Sequence, residues 1–298
     1  MTPSVSVIIA TYKREIELES ALASLRTQTF DSFEIVLVDD NGNAEWNEKV
    51  KKIADRFVEN NPNIPFQYIV NSPNQGSAKT RNIGIDAANG KYITFLDDDD
   101  IYLPEKIKSQ LTFMQEEQFD YSIADLELYN ENGKLVDRRT RNYIKDTTPK
   151  ALLGYHLKFH LTGTDTMMFT KEYLLKIGKF APIDVGDEFY LMQRAIDGGG
   201  KFGYFPESHV KALVHSGEGG LSSGDGKIQG ENALYEYKQK YFERLPKDDR
   251  KYIKMRHHAV LALAYFKMKN LFKFMGHLVQ SFFTSPTMCA KLYLGRKS

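Results

Sequence analysis

The sequence predicts a doubly wound, mostly parallel α/β sheet followed by a helical C-terminal extension. Three observations carry this. Short apolar and β-branched strand patterns alternate three times with amphipathic helical patterns, joined by short loops. A fourth strand pattern, Tyr92-Ile93-Thr94-Phe95-Leu96, then runs straight into four carboxylates, Asp97-Asp98-Asp99-Asp100. From Gly230 onward the pattern turns helical and basic, with fourteen Lys/Arg against five Asp/Glu, a net of +9 that leaves −8 on the first 229 residues. The predicted division is therefore 1–229 for the sheet and 230–298 for the helical region.

Residues 4–10 are the first, central strand, apolar on both faces as a buried parallel strand requires. Thr11-Tyr12-Lys13-Arg14 is the loop at its carboxyl end. Residues 15–28 space Ile16, Leu18, Ala21, Leu22 and Leu25 as one helical face. Residues 33–38 are the second strand, ending at Asp39-Asp40-Asn41-Gly42, and 45–60 a helix with Trp46, Val50, Ile53, Ala54 and Phe57 inward. Residues 66–70 are the third strand. A helix begins at Gly76 and stops at Asn89-Gly90. After the acidic run, Ile101-Tyr102-Leu103-Pro104 opens the next helix, with Pro104 suited to its first turn.

Beyond that point the pattern loosens. Residues 121–129 and 135–137 flank Asn132-Gly133, a hairpin signal. A strand is expected over 166–170, a helix from Lys171 to Gly178, a helix over 189–196, and short strands over 201–205 and 210–215. The Gly- and Ser-rich stretch 216–226 reads as a loop or lid. Helices are expected over 233–245, 250–269 and 270–283.

The totals exclude several classes. With 42% hydrophobic and 27% charged residues the chain has a globular composition, not a disordered one. Its net charge of +1 argues against a general polyanion binder, so no nucleic-acid partner is expected. The one cysteine, Cys289, permits no intrachain disulfide, which suits a reducing compartment. No apolar run approaches 18 residues, and the N-terminal apolar stretch is too short for a signal peptide, so a cytoplasmic protein is expected.

The acidic run carries the chemistry. Two like charges about 4 Å apart repel by roughly 4 kcal/mol at an effective dielectric near 20. Four carboxylates at the end of a rigid strand need water, protonation or a cation to relieve them. Mg²⁺ is typically held by one or two carboxylates together with phosphate oxygens, and ligands of open α/β sheets bind at the carboxyl ends of the strands. A solvated acidic turn is the competing reading. No G-x-G-x-x-G follows the first strand and no Walker lysine motif is present, so side chains and a metal would have to hold a nucleotide. Asp39, at a strand end, can accept hydrogen bonds from a base or ribose. Arg81 can bind a phosphate or nucleoside carbonyl, or pair with an aspartate.

Over about the first 220 residues the chain resembles a family 2 glycosyltransferase of the GT-A fold. Val5-Ser6-Val7-Ile8-Ile9-Ala10-Thr11-Tyr12 resembles the family's opening strand and donor loop, and Val38-Asp39-Asp40 its nucleoside-closing acidic pair. Asn74-Gln75-Gly76-Ser77-Ala78-Lys79-Thr80-Arg81-Asn82 resembles its Gly-x-x-x-x-Arg-Asn segment, and Phe95-Leu96-Asp97-Asp98-Asp99-Asp100 its DxD-type metal motif. The resemblance implies donor contacts from Thr11, Tyr12, Arg14, Asp39, Asp40, Arg81, Asp97 and Asp98, with uracil near Asp39. It implies Asp99 as ligand of a Mg²⁺ or Mn²⁺ ion and Asp98 serving the ribose or the metal through water.

Gly186-Asp187-Glu188-Phe189-Tyr190-Leu191 resembles the segment that supplies the family's catalytic base, with the acidic pair in reversed order, so the base is Glu188 or Asp187. Acids in a first helical turn are also favoured by the helix dipole alone. His215 resembles a histidine near the diphosphate that ligates the metal or donates to phosphate; a surface histidine is the alternative. Asp165 is implied as an acceptor contact, and His209 reads as structural. The processive synthases' Gln-x-x-Arg-Trp motif is absent, and the only Trp is Trp46. Transfer of one sugar from a nucleotide-sugar, UDP-linked, with inversion, to a glycan or lipid-linked acceptor in cell-surface glycan synthesis is thus expected.

Two rivals stand beside this. A nucleotidyltransferase on a similar sheet would want glycine after the first strand, and 10–14 has none. A catalytically silent nucleotide-sugar-binding protein shares the fold without the chemistry. The aromatic residues beyond Gly230 read either as core between packed helices or as a peripheral face on the inner side of the cell membrane, with Lys267, Lys269 and Lys273 near anionic lipid.

Overall fold

The computed structural model describes residues 2–183, 186–214 and 224–294. The chain divides into two compact units. One is formed by Met1–Pro149 with Leu161–Ser216, the other by Lys150–His160 with Gly217–Ser298.

The first unit begins with β1 (Val5–Thr11), α1 (Ile16–Arg26), β2 (Phe33–Asp39), α2 (Ala44–Asn60), β3 (Phe66–Val70), α3 (Ser77–Ala87) and β4 (Tyr92–Phe95). β1 pairs in parallel with β2 and β4, and β2 with β3. Val5, Val7 and Ile9 pack with Leu18, Leu22 and Leu25 of α1 and with Val50 and Phe57 of α2. Ile8 faces the other way, toward α3. There Gly84 is required, because a Cβ on it would stand 2.5 Å from the Ile8 Cγ2. Packing against both faces leaves the strands' carboxyl ends as the open edge.

The acidic run does not open a helix directly. Ile101–Tyr102 forms β5, antiparallel to β11 (Val210–Val214), and α4 (Lys106–Glu116) starts only after Pro104. The reason is local: Tyr102 is 1% exposed, and the Leu213 N–H donates to Asp100 Oδ1 at 2.8 Å, drawing the chain alongside β11. β6 (Tyr121–Ala124) and β7 (Leu126–Asn130) are separate strands, although the sequence pattern runs through both. The hairpin around Gly133 joins β7 to β8 (Leu135–Arg139), with Gly133 at φ +71°. β9 (Met167–Thr170) runs antiparallel between β4 and β6, followed by α6 (Lys171–Lys176), α7 (Asp187–Asp197) and β10 (Phe202–Phe205). The main sheet has the order β10-β6-β9-β4-β1-β2-β3, and a smaller one the order β5-β11-β7-β8. The fold is a mixed α/β of the predicted class, mostly parallel.

The second unit contains α5 (Pro149–Phe159), a helix that the sequence reading passes over, and α8 (Gly224–Gln239), α9 (Lys247–Lys267), α10 (Leu271–Thr284) and α11 (Pro286–Leu294). α5 is tied to α9 by an ion pair from Lys158 to Asp249 at 2.7 Å. The aromatic residues of the tail divide. Tyr235 stacks on His257 at 4.1 Å, while Phe272 and Phe283 are largely exposed. Among the described residues no helix is long and apolar enough to cross a membrane.

Candidate active site

The carboxyl ends of β1 and β4 place Thr11, Tyr12, Arg14 and the acidic run in one corner. Thr11 Oγ1 donates to Asp98 Oδ2 at 2.7 Å, and the Tyr12 N–H donates to the same oxygen at 3.2 Å. Arg14 pairs with Asp99 at 2.8 Å and lies 3.8 Å from Asp98. Burial pushes the Asp98 carboxyl up to about 7, aided by the Asp99 charge, against the pull of Thr11 and Arg14. Asp98, Asp99 and Arg14 thus set two carboxyl groups beside one guanidinium.

Asp97 turns to Arg81. The guanidinium reaches Asp97 Oδ1 with one nitrogen and Asp187 Oδ2 with the other, both at 2.6 Å. Phe180 lies under it, 5.6 Å from ring centre to guanidinium carbon. Burial alone would lower the Arg81 pKa, but Asp97 and Asp187 hold it above its ordinary value, so it stays charged. A planar fork can bridge two carboxylates in this way and a lysine cannot. The bridge joins the end of β4 to the first turn of α7, which starts at Asp187, two residues before the predicted helix.

Asp187 is 4% exposed and its carboxylate has three donors: Arg81, the Ser77 hydroxyl at 3.2 Å and the Glu188 N–H at 2.8 Å. Glu188 beside it is left with a different environment. Burial, then the hydrogen bond and charge of Asp187, push its carboxyl well above the usual range.

A second acidic group lies deeper. Carboxylate oxygens of Asp97, Asp100 and Asp165 all fall within 4.8 Å of one another. Asp100 and Asp165 are 5% and 3% exposed. Burial raises both, aided by the charge of Asp165 on Asp100 and of Asp97 on Asp165. The Asp97 N–H also donates to Asp165 Oδ1 at 2.6 Å. Sequence reasoning assigned Asp165 to an acceptor and made no use of Asp100; only the approach of Thr164–Thr166 to the β4 end brings the two together. The donor set, hard carboxylate oxygens with excess negative charge, fits a Mg²⁺ or Mn²⁺ ion.

Lys106 was also missed. It lies on the inward face of α4 at 1% exposure, donating to Thr94 Oγ1 at 2.5 Å and to the Tyr102 hydroxyl at 2.9 Å. Burial pushes it down to about 7. The available signal was its helical register with Ile107, Gln110, Leu111 and Met114.

Asp39 and Asp40 are placed at the β2 end, as expected, with their carboxylates engaged internally. Asp39 accepts from Tyr68 at 2.7 Å and from Asn41 through side chain (2.7 Å) and backbone (3.0 Å). Asp40 accepts from Asn71 and from the N–H groups of Gln75 and Gly76 at 2.7 and 2.9 Å, holding the loop that enters α3. His209 pairs with Glu207 at 2.8 Å. His215 and the 216–223 part of the predicted lid lie outside the described residues.

Residues 6–178 match the model of Glycosyl transferase family 2. An uncharacterized glycosyltransferase of Methanocaldococcus jannaschii is 30% identical, over 74% of this chain and 74% of its own length. Another, of Haemophilus influenzae, is 32% identical over 58% of this chain, which spans 55% of that relative's length. The Escherichia coli protein named UDP-Glc:alpha-D-GlcNAc-diphosphoundecaprenol beta-1,3-glucosyltransferase WfgD is 27% identical over 47% of this chain and 54% of its own length. Among solved structures, Staphylococcus aureus TarS 1-349 in complex with UDP-GlcNAc superposes with a TM-score of 0.61 at 18% identity, covering 94% of this chain and 91% of that one. Mannosyltransferase PcManGT of Pyrobaculum calidifontis, in complex with GDP-Man and Mn²⁺, gives 0.59 at 16% identity, covering 100% and 80%.

Proposed function

This chain belongs to glycosyl transferase family 2, and on that premise we propose that it transfers a single sugar from a UDP-sugar to a hydroxyl of a glycan or lipid-linked acceptor, inverting the anomeric centre. The observation that carries the proposal is the Arg81 bridge. Two ion pairs of 2.6 Å tie the acidic strand end to the helix turn that bears Glu188. A seat for a sugar diphosphate and a separate proton acceptor thereby line the same corner.

Thr11 and Tyr12 hold Asp98 at the donor wall, and Arg14 orients Asp99. Asp99, and Asp97 of the Asp97–Asp100–Asp165 group, would hold the Mg²⁺ or Mn²⁺ ion, which would supply positive charge to offset that of the departing diphosphate. Glu188 takes the acceptor's proton, because the Asp187 carboxylate already has three donors while Glu188 stands in an environment that makes its carboxylate more basic. The acceptor oxygen bonds to the anomeric carbon, the bond from that carbon to the diphosphate oxygen breaks, and the nucleoside diphosphate leaves with the electron pair. Asp187 acts by position, holding Arg81 and the helix turn. Asp39 and Asp40 shape the nucleoside end through Tyr68, Asn41 and the 74–76 loop.

UDP release from a panel of UDP-sugars, with Mn²⁺ and then with EDTA, tests the reading. Turnover is expected to depend on the ion, and Glu188→Gln to lower it by about 10²–10⁴-fold. Undiminished turnover in EDTA would remove the metal from the mechanism. Full activity in Glu188→Gln would remove the base, and nucleotide binding without UDP release would leave a silent binding protein.

A further inference from the structure

Among the described residues, the outer face of α10 is left exposed. Phe272 is 91% exposed and Phe283 77%, and Leu271, Met275, Val279 and Phe282 are exposed as well. At 3.6 residues per turn these six fall within about 120° of the helix circumference. The inner face is a different set and is already taken up by α9. The Ser281 hydroxyl donates to the Met255 carbonyl at 3.0 Å, His277 meets His258 at 3.3 Å, and Phe274 packs on Phe266 at 5.2 Å between ring centres. The outer arc is therefore not a core face in search of α9. Six large apolar side chains on one helix face are more than scattered surface hydrophobics.

Beside this arc, a cavity of about 740 Å³ opens between α9 and α10. Lys247, Arg250, Lys251 and Lys254 line it from α9, and Phe283 lines it from α10, so the apolar arc and the basic cavity are continuous. The four cations stand at i, i+3, i+4 and i+7, one face of the helix, where like charges repel. Among the described residues none of the four is ion-paired. From Arg250 to the end of the sequence there are ten Lys/Arg and no Asp or Glu; the acids of α9 are Asp248 and Asp249 in its first turn, and Asp249 is taken by Lys158.

We propose that this surface docks on a bilayer of anionic phospholipid, with the α10 arc entering the headgroup–acyl boundary and the α9 cations receiving lipid phosphates. An amphipathic helix with an apolar face and flanking lysines is the physical form of an interfacial helix, and each Lys/Arg near an anionic leaflet adds electrostatic attraction. The charge pattern selects this occupant over a second copy of the chain, which would set one unpaired basic cluster near another. A nucleic acid would use the cations and leave Met275, Val279 and Phe282 in water. The inference is independent of the transfer reading, since membrane docking requires no turnover.

Flotation of the full chain tests it, using vesicles of phosphatidylcholine alone and of phosphatidylcholine with phosphatidylglycerol. The chain is expected to float with the anionic vesicles and to remain below with the neutral ones. Phe272→Asp, and separately Lys251→Glu with Lys254→Glu, should each lower the bound-to-free ratio at least about ten-fold. All three positions are exposed, and circular dichroism checks that each variant is folded. Glycerol phosphate in excess should not release the chain, because the free phosphate lacks the apolar half of the contact; release would reduce the site to a small-anion pocket and overturn the bilayer assignment. Failure of the wild type to float would overturn it too, as would wild-type binding by both variants. Light scattering that shows a dimer dissociated by Phe272→Asp without vesicles would assign the arc to a second copy instead.

Discussion

The acidic corner of the first unit and the basic face of the second carry their charge in opposite ways. In the corner, Arg14, Arg81, Asp97, Asp98, Asp99 and Asp187 are all joined by ion pairs or hydrogen bonds of specified geometry. On the α9 face, Lys247, Arg250, Lys251 and Lys254 share one side of a helix, and none is ion-paired to another described residue. Paired, buried charges specify where atoms stand, because the desolvation cost is met only in one arrangement. Unpaired, exposed charges specify no internal geometry; they set the sign of what approaches. The first arrangement suits the proposed transfer, which needs fixed geometry, and the second suits the proposed docking, which needs only a sign of charge.

The largest expected effect comes from breaking the paired side. Arg81→Gln leaves Asp97 and Asp187 without their shared cation, and removing one partner of a buried pair costs about 3–5 kcal/mol. Urea unfolding should report that loss, together with loss of transfer. Arg81→Lys should restore less than half of it, because an ammonium cannot span both carboxylates in the fork geometry. A Gln variant within about 1 kcal/mol of wild type would be a surface-like result, and the contrast between the regions would then fail.

A middle-sized effect sharpens the same contrast through pH. As the proposed base Glu188 must be deprotonated, and burial with the neighbouring Asp187 raises its carboxyl. Transfer should therefore be low in acid and rise with pH along a limb well above the ordinary carboxylate value of about 4.3. Asp187→Asn removes the negative neighbour, and the limb should move to lower pH by about one unit. A limb that stays in place would detach Asp187 from Glu188.

The smallest effect belongs to the basic face. Lys251→Ala removes one like-charge i,i+4 neighbour of Lys247, and stability should rise by about 0.2–0.5 kcal/mol. Added salt should shrink that gain, since exposed charges are screened. The Arg81→Gln loss should persist in the same salt. Equal salt dependence for both would erase the distinction between buried and exposed charge.

How far the sequence was legible follows the same division. The positions of β1, β2 and β4 and of the helices between them could be read because apolar periodicity is a local property, and Gly76 and Asn89-Gly90 mark the ends of one of those helices in place. Ile101-Tyr102 misled, since a two-residue strand exists only by pairing with β11. α5 went unread although Leu152, Leu153 and Leu157 keep helical spacing, because its inward face answers to helices about a hundred residues later.

By itself the sequence determined that strands end in carboxylates, that Asp187 and Glu188 open a helical region, and that the last stretch is basic, helical and aromatic. Each of these is written in neighbouring residues. Only the tertiary structure decided that Arg81 reaches Asp187 across 106 positions, that Asp97, Asp100 and Asp165 gather their carboxylates within 4.8 Å, and that the apolar arc of α10 faces outward while its opposite face packs on α9. The physical reason is that ion pairing, carboxylate clustering and burial depend on distances in space, which residues far apart in the chain acquire only once the sheet and the helices have closed.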